Sequence, residues 1–299
     1  MRNQPAVTVA VPTRARPDAL GRCLRALAGQ TIADELEVLV VCDGDDYESA
    51  VARVVAGVPQ ARLLRQAQAG PGATRNRAAA AAAAPVLCCT DDDCEPRPDW
   101  AERLVHAIDR GADVAVGRTV NAEPKNALAT ASQLVVTHLE ERSARAGQVY
   151  GAASNFGART EVLRKVPFDT RYTFAGGDRD WCARVAEAGF RLVREPDAVV
   201  LHRQRLSVGS FSRQHVAYGR GAYRFRSASR PLRLERPGFY GSLVLRAAAA
   251  GPRVTLLVLL AQAATAVGFA REARRLSALR SRRARGIRRR GPDAPRSRT

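Results

Sequence analysis

Asp91, Asp92 and Asp93 follow directly on Val86-Leu87-Cys88-Cys89-Thr90, a run that is apolar without alternation. Such a run reads as a short strand buried on both faces of a parallel sheet, with the carboxylates at its carboxyl end. Three adjacent carboxylates repel one another, which is tolerable only in water or around a cation. In an extended chain Asp91 and Asp93 point to the same side. Paired oxygen ligands of this kind suit Mg²⁺ or Mn²⁺, particularly where phosphates complete the coordination shell. The competing reading is a solvated acidic turn ahead of the helix that opens near Pro98-Asp99-Trp100. A second acidic cluster, Asp43-Gly44-Asp45-Asp46, follows the apolar run of residues 36–41. Asp43 can accept a hydrogen bond from a nucleobase N–H, or can simply belong to an Asp-Gly turn. Arg75, at the start of a helix, can face an anion beside the helix N-terminal N–H groups, or stand in solvent. His202 directly follows a strand and could be a third metal or phosphate ligand. His106, His138 and His215 have no partner legible in the sequence.

The elements that must position these residues alternate regularly. Residues 6–11 form a first strand, stopped by Pro12, and Leu20, Cys23, Leu24 and Leu27 repeat at the spacing of an amphipathic helix. Residues 36–41 are a second strand, 47–56 a helix, 61–64 a third strand, and Gly70-Pro71-Gly72 opens a helix through the alanine run at 78–84. The fourth strand then delivers the Asp triplet. This β-α-β-α-β-α-β rhythm is that of a doubly wound, mainly parallel sheet, whose ligands bind beyond the carboxyl ends of the strands. Both acidic clusters fall at such ends. There is no G-x-G-x-x-G after the first strand and no Gly-rich loop with Lys, which argues against a dinucleotide dehydrogenase and a Walker-type ATPase. Past residue 110 the rhythm changes. Residues 112–120 read as a strand, 125–145 as a helix and 150–158 as a Gly/Ala-rich strand. Gly176-Gly177-Asp178 opens a helix, and 191–193 and 198–201 read as two short strands.

At 299 residues the chain can bury a sizeable core. Its formal charge of +19 is unevenly placed. Residues 1–202 carry 25 Lys and Arg against 26 acids, whereas residues 203–299 carry 23 Arg against three acids. Only Lys125 and Lys165 among the basic residues are lysine, so arginine richness partly reflects composition bias. Six cysteines without C-x-x-C spacing fit buried reduced thiols in a cytosolic setting better than a zinc site or a secreted disulfide framework. No charged-then-apolar targeting signal opens the chain. Residues 214–226 read as a basic helix. Val254–Ala270 is 17 residues without a charge, framed by arginines. That is short for a membrane span, and a span, an interfacial helix and a buried helix all fit it. From about Ser277 the chain reads as a disordered basic tail.

Four segments, in order, resemble the family-2 glycosyltransferases with the GT-A fold. Val11-Pro12-Thr13-Arg14-Ala15-Arg16 resembles the family's opening nucleotide-binding segment. Glu37 to Gly44 resembles its second strand with the base-binding Asp. Gly72-Ala73-Thr74-Arg75-Asn76-Arg77 through Thr90-Asp91-Asp92-Asp93 and Pro98-Asp99-Trp100 resembles its metal-binding D-x-D region. Gly177-Asp178-Arg179-Asp180-Trp181 through His202 resembles its acceptor half. The likeness covers roughly residues 6–202. Two positions depart from the usual motifs. Cys42 and Asp45 replace the first Asp and the Ser of Asp-Asp-Gly-Ser, and Gly177 replaces the Glu of Gly-Glu-Asp-x-Asp.

The resemblance implies an α/β GT-A type doubly wound mixed sheet, with a nucleotide-sugar-binding half over 1–110 and an acceptor half over 111–236. A helical, Arg-rich C-terminal extension follows, with 237–275 a candidate for membrane association and 276–299 a disordered basic tail. It implies an inverting transfer of a sugar from a UDP- or GDP-linked donor to a hydroxyl of a cell-envelope, polysaccharide or lipid-linked acceptor, at the cytoplasmic face of a membrane. Donor contacts are expected from Pro12, Thr13, Arg16, Asp43, Arg75, Asp91 and Asp92. Metal ligation (Mg²⁺ or Mn²⁺) is expected from Asp91, Asp93 and His202. Asp178 is expected to be the catalytic base; its alternative is a helix N-terminal acid favoured by the dipole. Asn155 and Trp181 are candidates for lining the acceptor pocket, although Trp181 equally suits a core. Two other classes fit the sequence less well. A nucleotidyltransferase would want a glycine-bearing N-terminal loop, which Val11–Arg16 lacks. A nucleic-acid-binding protein would use the Arg block on phosphates, but the tail has no interleaved aromatics, so no specific nucleic-acid partner is expected.

Overall fold

The computed structural model describes residues 5–44, 48–173, 175–228 and 235–289. In chain order the first half comprises β1 (Val7–Thr13), α1 (Pro17–Ala28), β2 (Leu36–Asp43), α2 (Glu48–Ala56), β3 (Ala61–Gln66), α3 (Pro71–Ala81), β4 (Val86–Thr90), β5 (Cys94–Pro96) and α4 (Trp100–Asp109). The second half comprises β6 (Val114–Asn121), α5 (Ala127–Arg145), β7 (Asn155–Arg159), α6 (Thr160–Lys165), α7 (Gly177–Glu187) and β8 (Leu192–His202). Three helices close the chain: α8 (Val208–Ala228), α9 (Pro237–Ala249) and α10 (Pro252–Arg289).

Among the described residues the strands form one eight-stranded sheet in the order β3-β2-β1-β4-β7-β6-β8-β5. β3, β2, β1 and β4 run parallel; β1, β2 and β4 are buried along nearly their whole length, as their apolar, non-alternating sequences suggest, while β3 forms the half-exposed edge. β7 then enters antiparallel between β4 and β6, which makes the sheet mixed. Side chains leave each strand alternately. Val7, Val9 and Val11 pack with Leu20, Leu24, Trp100 and Leu104 from α1 and α4, while Ala10, Leu39 and Leu87 face Ala78, Phe156 and Trp181 on the other side. All six cysteines are buried in these layers.

The two strands expected over 191–193 and 198–201 are one strand, β8, which begins at Leu192. It pairs in parallel with β6 on either side of a register shift between Val116 and Arg118. The surplus residues 195–198, including Pro196, bulge out of the ladder, so the break in apolar pattern marks a bulge rather than a strand end. Asn155 repairs the interrupted ladder: its Nδ2 donates to Ala198 O at 3.0 Å, and its Oδ1 accepts from Trp100 Nε1 at 2.8 Å. Gly117 has no side chain because a Cβ there would lie 2.3 Å from that same Oδ1. Asn155 is therefore a structural residue, contrary to its expected place in the acceptor pocket. Trp181 is also core. It is 1% exposed, stacks on Phe168 at 4.9 Å and donates from Nε1 to Val166 O.

The C-terminal third is more ordered than its composition implies. α5, α8, α9 and α10 share a core of Ala131, Phe211, Phe239, Leu243, Val258 and Ala261. α10 continues to Arg289, past the start of the expected tail at 276, and residues 290–299 lie outside the described residues. It buries Val254, Val258, Ala261, Gly268 and Glu272 on one face. Glu272, 1% exposed, takes Arg220 at 3.0 Å and Arg224 at 2.8 Å from α8. Burial works against its charge, but the two guanidinium groups prevail and hold its carboxyl below the usual range.

Candidate active site

The residues singled out in the sequence collect at the carboxyl ends of β1, β2 and β4 and at the start of α7. Asp43, at the end of β2, is 7% exposed. Its Oδ1 accepts from Gln66 Nε2 and Ala69 N, and its Oδ2 accepts from Gly70 N at 2.9 Å. Three of its roughly four acceptor positions therefore shape the loop into α3, leaving one for a ligand. Gly70 suits that loop because its φ of +91° is a region L side chains rarely adopt. Asp45 and Asp46 lie outside the described residues.

β1 ends in a tight turn. Ala15 is held at φ 58°, the sole non-glycine with positive φ among the described residues, a strained placement of the kind that clusters at functional sites. The turn directs Thr13 and Arg16 onto the Asp triplet. Thr13 Oγ1 donates to Asp92 Oδ2 at 2.7 Å, and Arg16 pairs with Asp92 at 2.5 Å and with Asp93 at 2.6 Å. Asp92 is fully buried. Burial pushes it up to about 7, against the pull of Arg16 and Thr13. Thr13 thus braces Asp92, and Asp92 with Asp93 holds Arg16 at the carboxyl end of β1. Pro12 is half-buried on β1 opposite Val41.

The three carboxylates diverge. Asp91 Oδ1 accepts from Arg75 Nη2 at 2.5 Å. Asp93 Oδ1 instead lies 3.4 Å from His202 Nε2, because β5 pairs Cys94 with His202 across the sheet. Asp93, Cys94 and His202 bring their ligand atoms within 4.8 Å of one another. Burial would raise Asp93, but its hydrogen bonds and charge pairs with His202 and Arg16 overturn this and hold it below the usual carboxylate range. His202, disfavoured as a cation by burial, is raised by the same pairing. Asp91, expected to share a metal with Asp93, is placed with Arg75 and outside this cluster. A carboxylate and an imidazole, with Asp91 nearby on the same strand end, fit a divalent ion such as Mn²⁺.

A cavity of about 800 Å³ begins here, and Arg75, Asp91, His202 and Asp178 all line it. Arg75 is 5% exposed, yet its Nε finds no acceptor among the described residues, so a buried cation faces the cavity only partly satisfied. Asp178, in the first turn of α7, accepts from Arg179 N at 2.8 Å. Burial raises its carboxyl above the ordinary range, which suits a general base better than a fully solvated Asp would. Asp180 points elsewhere: it accepts from Arg184 Nε at 2.7 Å and from the Tyr172 hydroxyl.

The far wall comes from the C-terminal helices and was not legible in the sequence. Tyr218, Phe225 and Arg226 of α8, Phe239 and Tyr240 of α9 and Phe269 of α10 line the same cavity. In the sequence Arg226 was one arginine among many. The contacts are tight: a Cβ on Gly176, whose φ is +84°, would lie 3.1 Å from the Gly221 backbone, and a Cβ on Gly221 would fall 2.3 Å from Ala175 O.

A family model described as glycosyl transferase family 2 matches residues 8–181. Glycosyltransferase AglE of Haloferax volcanii is 26% identical over 222 residues, 73% of each chain. The pre-mycofactocin glycosyltransferase of Mycobacterium tuberculosis is 29% identical over 253 residues, 80% of this chain and 50% of its own length, so this chain spans half of that relative. Among solved structures, the mannosyltransferase PcManGT of Pyrobaculum calidifontis, in complex with GDP-Man and Mn²⁺, matches with a TM-score of 0.59. That match covers 93% of this chain and 80% of the other at 19% identity, a likeness of fold.

Proposed function

The chain belongs to glycosyl transferase family 2, and from that premise we propose that it moves a sugar from a UDP- or GDP-linked donor to an acceptor hydroxyl with inversion. The observation that carries this reading is the convergence of Arg75, Asp91, His202 and Asp178 on one cavity at the carboxyl end of the sheet. Asp178 takes the proton of the acceptor hydroxyl as its oxygen forms a bond to the anomeric carbon. The bond from that carbon to the diphosphate breaks, and the electron pair leaves with the nucleoside diphosphate. A single carboxylate base acting opposite the leaving group gives one displacement, hence inversion. Arg75 offsets the charge of the diphosphate, with Asp91 fixing its guanidinium. Asp43 offers its remaining acceptor position to the base. Asp93 and His202 would hold the ion, Mn²⁺ fitting mixed oxygen and nitrogen donors better than Mg²⁺; the mannosyltransferase of similar fold is a complex with GDP-Man and Mn²⁺. That ion, when bound, supplies Lewis-acid stabilisation of the leaving diphosphate. A thermal-shift panel of nucleotide sugars with Mn²⁺ tests the donor class. A UDP- or GDP-sugar should raise the melting midpoint in the presence of Mn²⁺ and not after chelation. A chain stabilised by none of them would refute the reading.

The protein is further proposed to work against an anionic membrane surface. By length and composition Pro252–Leu279 could cross a membrane, but Glu272 and the buried face of α10 tie it to α8. Its other face exposes Leu256 at 68%, Leu259 at 49% and Leu260 at 40%, flanked by exposed Arg253, Arg271 and Arg274. An apolar stripe edged by arginines lies in the headgroup region, each arginine adding about 1 kcal/mol near anionic lipid. Changing Leu256, Leu259 and Leu260 together to Gln touches no core packing and should lower partition to phosphatidylserine vesicles about tenfold or more. Equal pelleting of variant and parent would remove the membrane assignment.

A further inference from the structure

Beyond Asp178 the cavity holds a charge arrangement that donor chemistry does not use. Glu235, just before α9, presents one carboxylate oxygen to two arginines: Arg226 Nη2 at 2.7 Å and Arg179 Nη2 at 3.6 Å. The two guanidinium side chains are only 13% and 18% exposed. Arg179 also lies over the Phe225 ring at 4.6 Å, which fixes its plane. Two arginines share a single carboxylate at this end of the cavity, next to a wall that turns apolar through Val135, Leu139, Phe239 and Phe269. The position is adjacent to the chemistry, because the Arg179 backbone N–H donates to Asp178.

We propose that the acceptor is an anionic amphiphile. Its phosphate group binds between Arg179 and Arg226 in the place Glu235 now occupies, and its apolar chain runs along Val135, Leu139, Phe239 and Phe269. Planar guanidinium groups match phosphate oxygens in pairs, which a point charge would not. Glu235 is then a resident carboxylate that the acceptor displaces. It keeps two partly buried cations paired until the acceptor binds and penalises ligands that lack an anion. This proposal rests on the assignment of the Asp178 side of the cavity to the acceptor.

The test is calorimetry on the full chain with three probes: decyl phosphate below its micellar concentration, decyl maltoside and inorganic phosphate. Decyl phosphate should bind at least about tenfold more tightly than either of the others. Arg226→Gln should weaken it by a similar factor, while Glu235→Gln should strengthen it, because the competing carboxylate is gone. A residue that merely held α9 in place would give the opposite sign for Glu235→Gln, so that variant decides even if Arg226→Gln folds poorly. Decyl maltoside or inorganic phosphate binding as well as decyl phosphate would overturn the proposal, as would weaker binding by Glu235→Gln. Nucleotide binding with Mn²⁺ is followed in the same samples. If nucleotide binds and decyl phosphate does not, the acceptor proposal alone falls. If decyl phosphate binds as stated and no nucleotide does, the amphiphile site stands and the donor reading falls.

Discussion

Asp178→Asn should lower turnover by a factor on the order of 10²–10⁴, the usual contribution of a positioned general base, while nucleotide affinity stays within about twofold. The split follows from the geometry. Asp178 stands in the first turn of α7, whereas Asp43, Arg75 and Asp93 lie at the ends of β2 and β4 and the start of α3. Asn keeps the size of Asp and can still accept from Arg179 N, so the helix start is preserved. Because burial raises the Asp178 carboxyl, the parent enzyme should lose activity on the acid side as that group takes up a proton. The residual activity of the variant should lack this limb. Asp180→Asn is the control: its carboxylate serves Arg184 and Tyr172, and a mild effect is expected. Loss of transfer in Asp180→Asn with activity retained in Asp178→Asn would move the base by two residues.

Gly219→Ala should destabilise the protein by about 3 kcal/mol or more, the upper end of overpacking effects. Helix propensity alone predicts the opposite sign, a gain of about 1 kcal/mol, since glycine inside a helix is unfavourable. The clash decides. α8 and α10 cross backbone to backbone, and a Cβ on Gly219 would lie 1.9 Å from Thr265 O. Gly268 meets Val216 O in the same way at 2.0 Å. Neither obstacle is a side chain that can rotate aside, so the helices must part. Parting also pulls Arg220 and Arg224 away from Glu272. Urea denaturation measures the difference, and a Gly219→Ala variant more stable than the parent would show that the two helices do not cross at this point.

The first half was readable because β1, β2 and β4 are buried on both faces and the ends of β2 and β4 carry charge. The runs ending at Asp43 and at Asp91 needed no tertiary information. What one strand's end does next was not readable. The period of an extended chain puts Asp91 and Asp93 on one side, but β5 begins at Cys94 and turns Asp93 toward His202, leaving Asp91 to Arg75. That Thr13 and Arg16 bond Asp92 was not readable, because they lie nearly 80 positions from it along the chain and meet it only when β1 and β4 pair. Asn155 and Trp181 show a different obstacle. Polar atoms on otherwise core-facing residues look like ligand groups until the β8 bulge and Val166 O are seen to satisfy them. The C-terminal helices were the least legible. Arginine abundance hid both the Glu272 pairs and the two arginines that meet Glu235, since composition carries no information on which cations are buried.

The most direct test of the central claim is calorimetry of UDP and GDP binding, with and without Mn²⁺, for the parent, Asp93→Ala and His202→Ala. The account predicts that at least one nucleotide binds the parent with Mn²⁺. Chelation, or loss of either ligand residue, should weaken that binding by at least about tenfold, equivalent to about 1.4 kcal/mol. Nucleotide affinity unchanged by chelator and by both substitutions would contradict a metal-dependent nucleotide-sugar site at Asp93 and His202.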